Sequence, residues 1–351
     1  MSNKLRDLDE QTILITGATS GIGLTTARMA AKAGANVVLF ARDEGALRDL
    51  AGEINGTSDG GARGGRKQGR AAFCAGDVAS LDDLRHCRDV AENAFGRIDA
   101  WVNNAGVSIY GPIMDVNIDD ARRLFETNFW GLVHGSRVAA EYFRDHAEPG
   151  IDKALINVGS VLSDRAIPLQ GFYCASKHAV KGFTDSLRME LEKDGVPVSV
   201  TLIKPGSIDT PYNEHGANLL EKDTRNPPPV YAPETVARAI VWCCHHHERD
   251  VVVGFGGKAI SALGTLAPRL MDKLMEGTMF AAQKQSADSE RTYRNLYAPS
   301  GNLRERSNYN YATRERSYYT ASGRHGLAAL GTLAALGIGA AAVATLLRNG
   351  D

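Results

Sequence analysis

The sequence predicts a doubly wound α/β fold with a mostly parallel seven-stranded sheet, because short apolar segments alternate with helical stretches of ten or more residues. The apolar segments fit strands that are buried on both faces. A glycine-rich turn follows the first segment and begins a helix. The predicted strands are Thr12–Thr16, Asn36–Phe40, Ala71–Ala75, Ala100–Asn103, Ala154–Val158, Val198–Ile203 and Val251–Gly254.

The predicted helices lie between these strands. After Gly257 the alternation stops, and Ala262–Gln285 predicts one or two amphipathic helices through Leu263, Leu266, Leu270, Leu274 and Met275. The glycine-rich segment Asn55–Arg70 predicts a flexible insertion between a helix and the third strand. The predicted helices of the α/β region are the stretch from the glycine turn to Ala33, Asp43–Ile54, Ser80–Phe95, Asp119–Phe143, Gly171–Lys193 and Pro233–His246.

Composition excludes several classes of protein. The chain has 351 residues and a net charge of −1, which disfavours a basic nucleic-acid binder. Its five cysteines include no CxxC pair, so neither a disulfide framework nor a zinc site is indicated. The run Cys243–His247 does not suit one metal ion, because adjacent residues of a helix point about 100° apart. We therefore predict no metal site.

The glycine turn Thr16–Gly23 has the chemistry of a dinucleotide-binding loop. Gly17 permits a tight turn, Gly21 lets the backbone approach a pyrophosphate, and Gly23 permits close packing of helix on strand. The start of the helix adds free N–H groups and positive potential for phosphate. This turn predicts a dinucleotide site on a Rossmann-type sheet.

The end of the second strand indicates which dinucleotide is bound. An acidic residue at this place binds the ribose 2′-hydroxyl of NAD, but here Ala41 occupies it and Arg42 follows. A guanidinium suits a 2′-phosphate because it is planar and always charged. Asp43 would supply a carboxylate if the alignment were displaced by one or two residues. The sequence thus favours NADP(H) over NAD(H).

Tyr173 and Lys177 have the spacing of a catalytic pair. They lie four residues apart on a predicted helix and therefore share one face. A nearby ammonium is expected to lower the pKa of the tyrosine and make it a better acid and base. Ser160 follows a predicted strand and is placed to bond the oxygen of a substrate. These residues predict proton transfer to a carbonyl or from an alcohol.

Six motifs in register resemble the short-chain dehydrogenase/reductase family over about Leu8–Gly256. Many family members have a second serine where this chain has Gly159, a departure that leaves Ser160 in place. The motifs are TGATSGIG at Thr16–Gly23, Asp77-Val78, NNAG at Asn103–Gly106 with Asn128, Ser160, YCASK at Tyr173–Lys177, and Pro205-Gly206 with Thr210.

The resemblance implies roles for individual residues. Lys177 would bind the nicotinamide ribose, Asn128 would hold a water that links Lys177 to solvent, and Asp77 would contact adenine. Asn103 would shape the loop beside the adenine ribose. The catalytic residues would be Asn128, Ser160, Tyr173 and Lys177. The cofactor-binding residues would be Gly17, Thr19, Ser20, Gly21, Ile22, Gly23, Arg42, Asp77, Val78, Asn104, Ala105, Gly106, Tyr173, Lys177, Pro205, Gly206, Ile208 and Thr210.

The resemblance also implies a homo-oligomer and a small carbonyl or alcohol substrate. We expect the substrate pocket to be lined by Tyr110–Met114, Leu162–Leu169 and Tyr212–Asn226, the last a polar segment that suits a lid. Two alternatives stay open: a non-catalytic NADP-binding scaffold or regulator, and an isomerase or dehydratase on the same fold. The scaffold would not need all four catalytic residues, and the isomerase would not oxidise the cofactor.

The C-terminal region predicts membrane attachment. Leu327–Leu347 carries no charge and would span roughly 31 Å as a helix, close to the hydrocarbon thickness of a bilayer. Gly331, Ala335 and Gly339 give it a small-residue face that suits helix pairing. A buried or interfacial helix is the alternative. The arginines before it favour a catalytic domain on the cytoplasmic side. The predicted parts are a dehydrogenase domain (1–257), a helical extension (258–285), a linker rich in arginine and tyrosine (286–325) and the membrane helix (326–348).

Overall fold

The computed structural model describes residues 3–58, 68–254, 266–290, 294–299 and 303–317, together with Gly264, Thr292 and Thr320. A seven-stranded parallel sheet forms its centre, as predicted. Its strands are β1 (Thr12–Thr16), β2 (Asn36–Ala41), β3 (Ala71–Ala75), β4 (Ala100–Asn103), β5 (Lys153–Val158), β6 (Val198–Pro205) and β7 (Asp250–Val253). Their spatial order is β7-β6-β5-β4-β1-β2-β3.

The order of the strands reverses between β4 and β1. In doubly wound sheets the ligand crevice lies at this reversal, outside the carboxyl ends of the strands. The motifs predicted to bind the cofactor and to catalyse the reaction follow strands β1 to β6 at that edge. The topology therefore brings them to one side of the sheet.

Helices cover both faces of the sheet. They are α1 (Gly21–Lys32), α2 (Glu44–Ser58), α3 (Leu81–Phe95), α4 (Ile118–Phe125), α5 (Gly131–Asp145), α6 (Gly171–Lys193), α7 (Pro233–His245) and α8 (Pro268–Ala282). Alternate residues of β1 face opposite layers: Ile13 and Ile15 pack with α1, α2 and α7, whereas Leu14 packs with α3 and α5. This alternation explains why the central strands are apolar on both faces.

The predicted long helix Asp119–Phe143 is interrupted. Helices α4 and α5 are joined by a π-helical turn over Glu126–Trp130, which contains Asn128. The extra residue of a π turn shifts the side chains that follow it, and such turns are frequent at functional sites.

The helical extension packs differently from the prediction. Helix α8 buries Met271 and Met275, while Leu266, Leu270 and Leu274 stay exposed. An ion pair between Arg165 and Asp272 fixes which face of the helix meets the domain. After α8, the strand Lys284–Asp288 pairs antiparallel with Lys222–Thr224.

Two predicted features lie wholly or partly outside the described residues. The span Leu327–Leu347 is wholly outside them, and the insertion Asn55–Arg70 is described only at its ends, where α2 continues to Ser58. In the described part of the chain, no helix is both long and apolar enough to cross a bilayer.

Candidate active site

The glycine turn has the conformation that the sequence predicts. Gly17 and Gly21 have φ angles of +68° and +50°, which side chains rarely adopt. A Cβ atom at Gly23 would lie 2.1 Å from the Gly17 carbonyl oxygen, so only glycine fits there. Ser20 precedes helix α1 without a side-chain capping bond. Its hydroxyl is thus not used to cap the helix that points at the site.

The NNAG loop is bonded to the glycine turn through Thr16. The Thr16 hydroxyl accepts hydrogen bonds from the backbone N–H groups of Asn104 (3.0 Å) and Ala105 (3.1 Å). The Asn104 amide donates to the Thr16 carbonyl at 3.0 Å. Asn103, in contrast, is buried and bonds Ser136 and Asn157 inside the core. Asn103 therefore supports the NNAG loop from the core of the domain.

The π turn fixes Asn128 beside Lys177. Asn128 accepts from the Val107 N–H at 2.8 Å and donates to the Val107 carbonyl at 2.9 Å and to the Ser176 hydroxyl at 3.2 Å. A Cβ atom at Gly106 would lie 3.4 Å from Asn128 Oδ1 and 3.9 Å from Lys177 Nζ. These three residues therefore meet, as the resemblance implies.

Lys177 is buried behind Tyr173. Its ammonium donates to the Val158 carbonyl at 2.9 Å and lies 5.8 Å from the centre of the Tyr173 ring. Burial lowers the pKa of Lys177 to about 8. The group is thus a cation at neutral pH that loses its proton at a lower pH than an exposed lysine does.

The lowered pKa that the sequence predicts for Tyr173 does not appear in the structure without a cofactor. Burial raises the pKa of Tyr173, and the hydroxyls of Tyr212 and Ser160 only partly oppose this effect. The reason is geometric, because the Lys177 ammonium bonds the Val158 carbonyl. The Ser160 oxygen accepts from the Leu162 N–H at 3.0 Å and caps a short helical turn, Val161–Ser163.

Arg42 and Asp77 lie at the opposite end of the groove from Tyr173. Arg42 Nη2 donates to the carbonyl oxygens of Asn295 (2.6 Å) and Ala298 (3.2 Å). Its Nη1 is buried and has no hydrogen-bond partner among the described residues. Asp77 forms an ion pair with Arg123. Although burial alone would raise it, bonds from the Ala79 N–H and Arg123 hold the pKa of Asp77 below its usual range.

The segment after β6 closes the groove near the glycine turn. The Gly206 N–H donates to the Val253 carbonyl at 2.9 Å, and the Thr210 N–H donates to the Ile208 carbonyl at 2.9 Å. A Cβ atom at Gly21 would lie 3.0 Å from the Thr210 Cβ. The motif around Pro205 and Gly206 thus faces the start of helix α1.

One cavity of about 360 Å³ joins these parts. Two of the predicted site residues, Gly23 and Asn128, do not line the cavity and lie behind the residues that do. The cavity is lined by Gly17, Thr19, Ser20, Gly21, Ile22, Arg42, Asp77, Val78, Asn104, Ala105, Gly106, Ser160, Tyr173, Lys177, Pro205, Gly206, Ile208 and Thr210.

The predicted substrate wall is correct in part. Tyr110, Leu162, Ile167 and Tyr212 line the cavity, whereas Met114 is 92% exposed. Tyr110 and Tyr212 form an edge-to-face pair with ring centres 6.4 Å apart, and the Tyr212 and Tyr173 rings lie 5.6 Å apart. Two phenol rings thus enclose Tyr173 on the substrate side.

Sequence reasoning missed residues of the C-terminal extension. Met275 and Met279 of α8 line the substrate end, and Asn295 and Pro299 line the far end. These residues carry no motif. The apolar stripe of the predicted helix was the available signal, and it included Met275 together with the leucines but not Met279. No group of three histidine, cysteine or acidic side chains in the described part of the chain is placed to hold a metal ion.

Comparison with known proteins gives the family. The model of the short chain dehydrogenase family matches residues 11–218. An uncharacterized oxidoreductase of Bacillus subtilis, YxnA, is 44% identical over 97% of this chain and 92% of its own length. An 11-beta-hydroxysteroid dehydrogenase A of Sesamum indicum is 33% identical over 70% of this chain and 68% of its own length.

A solved structure resembles the fold. It is the 3-ketoacyl-(acyl-carrier-protein) reductase of Brucella melitensis in complex with NADH, with 25% identity and a TM-score of 0.55. The match covers 67% of this chain and 90% of the reductase. The chain therefore belongs to the short-chain dehydrogenase family, as an oxidoreductase that uses a nicotinamide cofactor on a small-molecule substrate.

Proposed function

We propose that the protein transfers hydride between NADP(H) and a carbonyl or alcohol carbon of an apolar substrate, with Tyr173 as general acid and base. The observation that carries this proposal is the single cavity that joins the glycine turn to Ser160, Tyr173 and Lys177. It brings a dinucleotide-binding loop and a proton donor to the same space.

The residues at the groove fit a dinucleotide. Gly17 and Gly23 let the backbone of the turn pack closely at the start of helix α1, and the charge of a pyrophosphate suits the N-terminal end of a helix. Ile22, Asn104 and Thr210 line the path from this turn to Tyr173. When bound, the cofactor supplies or accepts the hydride, and the protein supplies orientation and the proton.

Ser160 and Tyr173 would act on the substrate oxygen. The Ser160 oxygen accepts from the Leu162 N–H, and its O–H, which bonds Tyr173 in the free protein, would donate to the substrate oxygen instead. In reduction the Tyr173 hydroxyl gives its proton to the carbonyl oxygen, and in oxidation the phenolate takes a proton from the alcohol. Burial alone disfavours that phenolate, so the cationic form of Lys177 is needed to stabilise it.

Arg42 supports NADP(H) over NAD(H). Two backbone carbonyls hold Nη2, Nη1 is buried with no partner among the described residues, and Arg42 lines the same cavity as the glycine turn. A buried guanidinium nitrogen without a partner is costly, and a 2′-phosphate would satisfy it. Asp43, the possible ribose carboxylate, instead accepts from the Ala46 N–H at the start of α2.

An apolar substrate agrees with the lining of the cavity near Tyr173. Leu162, Ile167, Met275 and Met279 present hydrocarbon or thioether surface there. The Sesamum indicum relative is named as a hydroxysteroid dehydrogenase, which fits a bulky apolar alcohol. We also propose the membrane attachment of Leu327–Leu347 on sequence grounds, and the homo-oligomer stays a prediction.

Replacing Tyr173 with phenylalanine tests the mechanism. Turnover of a panel of apolar ketones and hydroxysteroids, followed by NADPH absorbance, should fall about 100- to 10 000-fold, the usual contribution of a general acid. NADPH binding, followed by fluorescence, should persist because the phenol contributes little to the dinucleotide groove. Tyr142→Phe, in the core beside α3, is the matched control. Y173F activity within about tenfold of wild type would reject Tyr173 as the acid.

A further inference from the structure

The residues after the helical extension lie across the cofactor groove. Residues 294–299 and 303–317, here called the C-terminal strap, were predicted as part of a linker, yet they contact both rims of the groove. One rim is formed by Arg42 and Arg123, and the other by the start of α1 and the segment after β6.

The first rim holds the strap through its backbone. Arg42 donates to the carbonyls of Asn295 and Ala298, and Arg123 Nε donates to the Leu296 carbonyl at 3.2 Å. The Leu296 side chain is completely buried. Asn295 and Pro299 themselves line the cavity. The strap is therefore a wall of the groove at its Arg42 end.

The second rim holds the strap by one backbone bond at the phosphate loop and, outside it, by backbone bonds between Arg314 and the Val230–Ala232 segment, by hydrogen bonds to Asp209 and by side-chain ion pairs. The Gly21 N–H donates to the Arg304 carbonyl at 2.9 Å. Arg304 pairs with Glu214 at 2.5 Å, and Arg306 pairs with Glu234 at 2.9 Å. The described residues of the strap thus bond the domain on both rims of the groove, at Arg42 and at the glycine turn.

The cavity continues beneath the strap. Phe40, Arg42 and Asp77 on the domain side and Asn295 and Pro299 on the strap side line the same space. Arg42 Nη1 remains unpaired among the described residues while the strap is docked. Asn295 and Pro299 of the strap therefore cover the place expected for the adenosine end of the cofactor.

We propose that the C-terminal strap is a gate, which has to lift before the cofactor can enter or leave and which the Arg304–Glu214 and Arg306–Glu234 ion pairs help to hold closed. This inference rests on the proposed binding of NADP(H) in the groove. Both ion pairs are partly exposed, with Arg304 31% and Arg306 39% accessible. Pairs of this kind are weak, which suits a segment that opens repeatedly.

The double variant Arg304→Ala, Arg306→Ala tests the gate. It keeps the Arg304 carbonyl and leaves every proposed catalytic and cofactor-binding residue in place. Arg48→Ala, Arg85→Ala is the matched control, because it removes two arginines from exposed helical ion pairs on α2 and α3. Hydrogen exchange of residues 303–317 without cofactor reports whether the strap has loosened. Stopped-flow NADPH fluorescence gives the association and dissociation rates.

The gate predicts faster exchange in residues 303–317 and an increase of about three- to tenfold in both rates, with the Kd within about twofold of wild type. Unchanged hydrogen exchange would show that the ion pairs do not hold the strap, and unchanged rates in a loosened strap would reject the gate. A change in only one rate would also reject it. If wild-type protein binds neither NADPH nor NADH, the proposed function itself fails.

Discussion

Arg42 shows how one side chain can serve both the fold and a ligand. Its Nη2 is held by the carbonyls of Asn295 and Ala298, its Nη1 has no partner among the described residues, and the proposed ligand for Nη1 is a phosphate. Burial lowers the pKa of this guanidinium, a sign that its charge is only partly compensated in the free protein. A bound phosphate would supply the missing compensation.

Arg42→Ala should therefore separate the two nicotinamide cofactors. A hydrogen bond to a charged group is worth about 1.5–3 kcal/mol, so the Kd for NADPH should rise about 10- to 150-fold. The Kd for NADH, which lacks the 2′-phosphate, should change by less than about threefold. Isothermal titration with both cofactors measures the difference, and Arg48→Ala is the control. Equal losses for NADPH and NADH would mean that Arg42 only supports the fold.

Lys177 makes stability depend on pH. Burial lowers its pKa to about 8, whereas a lysine of the unfolded chain titrates near 10.4. Between these values the unfolded chain binds a proton that the folded protein lacks, so the free energy of unfolding rises with pH in this window. Below this pH window Lys177 is protonated in both the folded and the unfolded state, so its contribution to the free energy of unfolding does not change with pH.

Comparison with Lys177→Met isolates this effect. The free energy of unfolding of wild type minus that of the variant should increase by about 2 kcal/mol between about pH 7 and about pH 9.5. Urea denaturation at the two pH values measures it, and Lys193→Met at the exposed end of α6 is the control for removing one lysine. A difference that stays constant or falls with pH would contradict the lowered pKa.

At the scale of elements, the periodicity of apolar residues predicts the regular strands and helices but not the irregular turns within them. The seven strands and the helices around them follow from apolar segments and amphipathic stretches. The π turn at Glu126–Trp130 leaves no mark in that periodicity, because a single extra residue keeps the apolar face nearly continuous. Yet this turn sets the contacts of Asn128 that place it near Lys177.

Helix α8 illustrates a second limit. Its sequence has a leucine stripe, but the structure buries Met271 and Met275 and exposes the leucines at 270 and 274. Which face of an amphipathic helix docks depends on partners distant in sequence, here Arg165 with Asp272 and the cavity wall. A local pattern cannot contain that information, so the helix could be predicted but not its contacts.

At the scale of the whole molecule, part of the candidate site could be predicted from the sequence and part could not. The groove could be predicted from motifs, because each βα turn carries its own chemistry and the parallel sheet brings the turns together. The position of the C-terminal strap over the groove could not be predicted, since residues 294–317 have the composition of a polar linker. Arg304 and Arg306 of this segment pair with Glu214 and Glu234 only in the folded chain. Long-range ion pairs of this kind have no signature in a single sequence.

Membrane attachment is the prediction that concerns the chain as a whole. Eight strongly apolar residues in Leu327–Leu347 contribute about −0.3 to −0.6 kcal/mol each to insertion, and glycines and threonines offset part of that. The net free energy of membrane insertion is therefore small. A single arginine at the centre of a span costs about 2.5–3.5 kcal/mol, enough to cancel it.

Leu336→Arg, near the middle of the segment, should thus release the protein from membranes, whereas Gly350→Arg, beyond its end, should not. Ultracentrifugation of detergent-free lysates measures the fraction that sediments with membranes, and deletion of Gly326–Asp351 should match Leu336→Arg. The cofactor-binding rates of the released variant should equal those of wild type in detergent, because the groove and the strap end before the segment begins. A protein that stays in the supernatant in every form has no anchor, and its apolar C-terminal residues would then have to be covered by protein.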